Sequence, residues 1–178
     1  TGVGAHNPAG AGLVAGAWAV QPTAGLVLIG EVSSPLQCEA RQYGSCFSRA
    51  LEIRTPGDQR LLVSGTASIE PGGRSAHPGD VKGQIDLTMS VVEALLAARH
   101  LGFADVTRAT AYFKQVPDAP IFAEWCGEHG LEAMPLVLTQ ADICRDELLF
   151  EIELDAIVVT PGQTDHPEQH VPAKSGDG

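Results

Sequence analysis

Phe150, Ile152, Leu154 and Ala156 alternate with Leu149, Glu151, Glu153 and Asp155 near the end of the 178-residue chain. Successive side chains of a strand point to opposite faces. A strand over 149–159 therefore carries one apolar face and one acidic face. The apolar face demands a core. The acidic face demands solvent, a cleft or a subunit interface. A sheet covered by other elements on one side only meets both demands.

The covering layer is legible upstream. Val81, Ile85, Thr88, Met89, Val92, Leu95 and Leu96 keep a three–four spacing, which predicts a helix over 79–101. Asp80 falls in its first turn, Arg99 and His100 in its last, and Gly102 is expected just past its end. A second helix is expected over 117–129, with Pro117 or Pro120 in its first turn and Gly130 at its end. Strands are expected at 26–32, a buried one, and at 47–54, 60–68, 106–115 and 134–144. Thr55-Pro56-Gly57-Asp58 predicts the turn of one hairpin. A second hairpin is expected between 134–144 and 149–159, about the turn Arg145–Leu148. This order predicts an α+β domain over 1–160, a mixed sheet with two helices packed on one face. The polar, aperiodic stretch 161–178 is expected to be a disordered tail.

A net charge of −11 speaks against nucleic acid and against an anionic membrane surface as partners. It leaves an anionic small molecule open, because a few sheltered cations suffice to bind one. No apolar run has the length of a membrane span. The spacings of Cys38, Cys46, Cys126 and Cys144 match neither zinc knuckles nor a disulfide scaffold, so reduced thiols and a cytoplasmic location are expected. Cys126 and His129 lack a second pair of ligands, and Asp165, His166, Glu168 and His170 read as a solvated tail. Ser75, His77 and Asp80 share one loop, where triad geometry is not expected. No metal site is expected.

In the expected terminal hairpin, Cys144 opposes Leu149 and Asp142 opposes Glu151. Cys144 and Glu151 then become diagonal neighbours roughly 7 Å apart. Crowding of Asp142 against Glu151 would raise one of their pKa values. A carboxyl kept protonated near neutral pH can act as a general acid. The same pattern also describes a solvated acidic edge, and Cys144 alone also reads as a small buried filler.

Several segments together resemble the chorismatase family, which has the RidA/YjgF-like (chorismate-mutase-like) fold. Ser64-Gly65-Thr66-Ala67-Ser68-Ile69 is similar to a motif of that family. So are His77-Pro78-Gly79-Asp80 with Gln84, and Gln42-Tyr43-Gly44 followed by Phe47-Ser48-Arg49-Ala50. Gln140-Ala141-Asp142-Ile143-Cys144-Arg145, with Leu148-Leu149 and Glu151-Ile152-Glu153, resembles the family's last strands. Thr1-Gly2-Val3-Gly4 is similar to a stretch in the middle of its longer chains. The Gly-Asp and Gln at the helix start are shared with the wider RidA/YjgF group. Family members carry an N-terminal half without a counterpart here.

The resemblance implies removal of pyruvate from chorismate, giving a hydroxybenzoate, with 3-hydroxybenzoate the first expectation. It implies Glu151 as the catalytic acid and Cys144 as a catalytic residue of the 3-hydroxybenzoate branch. It implies Arg49, Tyr43, Lys114, Arg145, Gln84 and Gln140 as substrate ligands. Lys114 stands where relatives have Arg, which removes a bidentate fork for carboxylate. No cofactor is implied. The implied partners are a chorismate-like anion and either two further copies in a homotrimer or a chain supplying the missing half. Two alternatives stand beside this: a RidA-type enamine/imine deaminase, and a non-catalytic ligand- or partner-binding module. RidA-type deaminases place an Arg where this chain has Leu136-Val137-Leu138.

Overall fold

The computed structural model describes residues 2–5, 10, 12–17, 19–22 and 26–160. The tail expected to be disordered, 161–178, lies outside the described residues. Six strands make one sheet: β1 Leu28–Val32, β2 Ala50–Arg54, β3 Asp58–Ala67, β4 Val106–Phe113, β5 Leu136–Gln140 and β6 Phe150–Val159. Their order is β1-β2-β3-β6-β4-β5. Every neighbouring pair is antiparallel except β4 with β5. The helices are α1 Val81–Ala97 and α2 Ala119–Glu128. The α+β class and the mixed sheet with two helices agree with the expectation.

The β2–β3 hairpin turns where the sequence predicts. Gly57 N and Asp58 N donate to Thr55 Oγ1 at 3.2 and 3.1 Å, which closes the turn with a side chain. Asp80 is the N-cap of α1, accepting from Gly83 N at 3.0 Å. The helix stops earlier than expected. Its end is followed by His100 with φ 59°, so the left-handed residue is His100, not Gly102. β1 was expected to be buried, yet only its Val32 is. It lies at the edge of the sheet.

The expected terminal hairpin does not form. β5 runs parallel to β4, and β6 is inserted between β3 and β4. The reason is α2, which connects β4 to β5. A strand–helix–strand connection returns the chain in the same direction and makes a parallel pair. Asp142 consequently bridges Gly4, while Glu151 lies between Ala67 of β3 and Tyr112 of β4.

Alternation along β6 holds. Phe150, Ile152, Leu154 and Ala156 are fully buried, in one core with Ile85, Met89 and Leu95 of α1 and Phe122 of α2. Phe150 lies 5.2 Å from Phe113 and 4.9 Å from Phe122, centroid to centroid. Truncating such a ring to Ala costs about 3–5 kcal/mol. That packing anchors β6, and with it the opposite face that carries Glu151.

Candidate active site

β3 and β6 fall out of step once. Val63 opposes Leu154 and Thr66 opposes Ile152, so Ser64 and Gly65 together face Glu153 alone. This is a β-bulge, a device that re-aims side chains locally. It is pinned: Ser64 Oγ donates to the Ser48 carbonyl at 2.7 Å, and Ser64 N to the Arg49 carbonyl at 3.1 Å. Ser64 and Gly65 line a cavity of about 330 Å³ together with Gly2, Ser45, Cys46, Phe47, Cys144 and Glu151.

Glu151 is 6% exposed. Burial pushes its carboxyl up to about 7, and the like charge of Glu153 acts in the same direction. The expected cause, crowding by Asp142, is not the one found: Asp142 is exposed and bound to Gly4. Near neutral pH this carboxyl can hold a proton and give it up. Tyr112, opposite it on β4, is pushed up to about 12 by burial and then by Glu153 and Glu151. It stays a neutral phenol beside the acid. Nothing in the local pattern marks Tyr112, because its place depends on which strand pairs with β6.

Cys144 shares the cavity. Its thiol is raised by partial burial and then by the charge of Glu151. A neutral thiol is a shape and a weak donor, not a strong nucleophile. Cys46, Ser45, Phe47 and Ser64 also line the cavity, though no expectation from the sequence named them. Two of the matched motifs contain Phe47 and Ser64, and that was the available signal.

The cations lie behind this wall. Arg49, 1% exposed, donates from Nε and Nη2 to the Cys38 carbonyl at 3.0 and 2.9 Å and from Nη2 to Tyr43 Oη at 2.7 Å. Its guanidinium stands 5.3 Å from the Tyr43 ring and 5.4 Å from the Phe47 ring. Arg145 stands 5.1 Å from the same Tyr43 ring and donates to the Gly73 carbonyl and Ser75 Oγ. Burial raises the Tyr43 phenol, against the pull of Arg49. Among the described residues, neither arginine forms an ion pair with a carboxylate. A buried, unpaired guanidinium is costly, and an anionic ligand would relieve that cost.

None of the six expected ligands, Arg49, Tyr43, Lys114, Arg145, Gln84 and Gln140, is among the described cavity-lining residues. Gln84 is fully buried; its Nε2 donates to the His77 and Glu147 carbonyls, and its Oε1 accepts from Leu149 N. Both halves of its amide are thus engaged with backbone. Lys114 Nζ holds the Asp146 carbonyl at 2.8 Å and the Asp146 carboxylate at 3.5 Å. Gln140 is exposed at the end of β5 and reaches only the Lys114 carbonyl, at 3.4 Å. Among the described residues no cluster of three or more His, Cys, Asp and Glu could hold a metal ion. None of their helices is long and apolar enough to cross a membrane. All four cysteines are unpaired.

No protein-family model matches the chain. A chorismatase of Streptomyces rapamycinicus is 32% identical over 118 residues, covering 60% of this chain and 35% of the relative. A 3-hydroxybenzoate synthase of Streptomyces hygroscopicus is 30% identical over 103 residues, covering 53% of this chain and 30% of the relative. The match spans about a third of the length of these curated relatives. A chorismatase crystal structure superposes with a TM-score of 0.60 at 26% identity, over 72% of this chain and 44% of that one. A YjgF/YER057c/UK114-family structure from Mycobacterium tuberculosis superposes with a TM-score of 0.57 at 22% identity, over 74% of this chain and 100% of that one.

Proposed function

We propose that this chain, chorismatase-like in sequence and RidA/YjgF-like in fold, removes pyruvate from chorismate or a close analogue and yields 3-hydroxybenzoate. The observation that carries this reading is Glu151, a carboxyl almost closed off from water that opens on a cavity beside a thiol.

Chorismate carries two carboxylates and an enol ether. A proton delivered to the enol ether's terminal carbon makes the adjacent carbon oxocarbenium-like, and pyruvate becomes a leaving group. Glu151 supplies that proton, and its position near neutrality suits an acid that must be reloaded each cycle. Cys144 directs the ring towards the 3-hydroxy product. Arg49 and Arg145, both against the Tyr43 ring and Arg49 also against the Phe47 ring, attract the carboxylates. Gln84 and Lys114 serve at one remove, by fixing the 145–149 turn.

The cavity is open, and none of its described lining residues is a cation. A homotrimer, or a chain supplying what the longer relatives carry beyond the match, would cover the acidic sheet face and complete the site. The test is incubation with chorismate, with pyruvate read by a coupled dehydrogenase and the ring product by chromatography. Release of 3-hydroxybenzoate supports the reading. No release at any protein concentration, alone or with the remaining portion of a longer relative added as a separate chain, defeats it; imine hydrolysis by the same sample would favour the deaminase instead.

A further inference from the structure

The proposed chemistry leaves residues 2–5 without a part. Gly4 and Asp142 exchange two backbone hydrogen bonds, Gly4 N to the Asp142 carbonyl at 2.8 Å and Asp142 N to the Gly4 carbonyl at 2.7 Å. The bridge is antiparallel, so the next same-face pair in register is Gly2 with Cys144. Both of those residues line the cavity of Glu151. One bridge thus ties together two walls of one hollow.

The two glycines stand there for different physical reasons. A Cβ added to Gly4 would fall 2.8 Å from the Asp142 Cβ, closer than two carbons approach. Only a residue without a side chain lets the segments meet. A Cβ added to Gly2 would meet nothing within 4 Å. The space it would enter is open space at the cavity that Gly2 and Cys144 both line.

We infer that residues 2–5 form a strap walling the cavity, with Gly4 a positioning residue for Cys144 and Gly2 a residue that sets the room beside it. The inference deepens the proposed function, since it takes this cavity as the site of reaction. The bridge fixes the backbone two residues before Cys144. Opening it would release one tie of that segment, leaving Cys144 held on its other side by Arg145, which donates to the Gly73 carbonyl and Ser75 Oγ.

Alkylation of Cys144 by iodoacetamide, followed by peptide mass spectrometry, reads the strap without any turnover. Cys144 is already exposed where it meets the cavity, so in Gly4→Val the clash should open the bridge and speed alkylation only about two- to three-fold over the unchanged chain. Gly4→Ala should also speed it, and adding Asp142→Gly should restore the slow rate, because the colliding carbons are then not both present. This pair decides the matter should Gly4→Val fail to fold. Gly2→Ala should slow alkylation, since its methyl narrows the cavity through which the reagent reaches the thiol. Equal rates in Gly4→Ala and the unchanged chain, or no rescue by Asp142→Gly, would overturn the strap. An unchanged or faster rate in Gly2→Ala would remove Gly2 from the wall. Absence of pyruvate release would count against the proposed reaction alone, with the alkylation rates still deciding the strap.

Discussion

Cys144, in the connection after β5, and Glu151, on β6, line one cavity although β5 and β6 are not neighbours in the sheet. β4 lies between. The connection 141–149 makes the crossing and is stapled at several points. Ala141 N donates to the Phe113 carbonyl, Lys114 N to the Leu149 carbonyl, and Gln84 reaches both Glu147 and Leu149. The pairing of acid and thiol is therefore a property of a pinned loop.

Gln84→Ala should show how much that pinning matters. It leaves the Leu149 N–H and the Glu147 carbonyl without their partner. The expected loss is about 2–3 kcal/mol of stability, read by denaturant unfolding. Pyruvate release should fall with it as the loop loosens. An unchanged unfolding midpoint would show that Gln84 does not hold the loop.

Glu151→Gln keeps the shape and removes the transferable proton. Pyruvate release should drop by about a hundred-fold or more, while the fold stays intact by circular dichroism. Turnover at the original rate would take the general-acid role away from Glu151.

The pH dependence follows from the same carboxyl. Glu151 ionises at about 7 when folded against 4.5 when exposed, so the folded state holds the proton more tightly. Its contribution to stability is fully present below pH 4.5, declines as pH rises and is gone above about 7. The shift corresponds to about 3 kcal/mol. Urea unfolding at pH 4.5 and pH 8, with Glu151→Gln as reference, should show the wild type losing ground to the variant at the higher pH. Pyruvate release should fall over the upper part of the same range, because the acid must be protonated to act. A pH-independent difference between the two proteins would contradict the burial argument.

Cys144→Ala should separate the two products. Pyruvate release is expected to continue while 3-hydroxybenzoate gives way to another ring product, resolved by chromatography. Equal yields of 3-hydroxybenzoate would remove the thiol from product choice.

Arg49→Lys preserves the charge and removes the fork that grips the Cys38 carbonyl and Tyr43. A stability loss of about 1–3 kcal/mol is expected, together with a raised KM for chorismate. A variant indistinguishable in both respects would show that the fork geometry is dispensable.

Much of this molecule was legible locally. The spacing of Ile85, Met89, Val92 and Leu96 specified α1, while Asp80, expected inside its first turn, is its N-cap. Thr55 to Asp58 specified the β2–β3 turn. Alternation from Phe150 to Ala156 assigned β6 its buried and acidic faces. That alternation and the family resemblance together single out Glu151, the one acidic side chain among the described cavity residues.

What stayed hidden was which strands flank β6. A period of two says which way each side chain points and nothing about which strand lies beside it. Proximity in the chain suggested β5; the helix between β4 and β5 imposed a parallel pair and left the central slot to β6. Tyr112, Ser64 and Gly2 came to the site through that long-range pairing, through a bulge and through an isolated bridge. Periodicity, caps and turns are written in neighbouring residues, because they arise from backbone geometry within a few positions. The depth at which Glu151 is buried, and hence its shifted proton affinity, depends on segments far away in the chain, so only the folded structure could decide it.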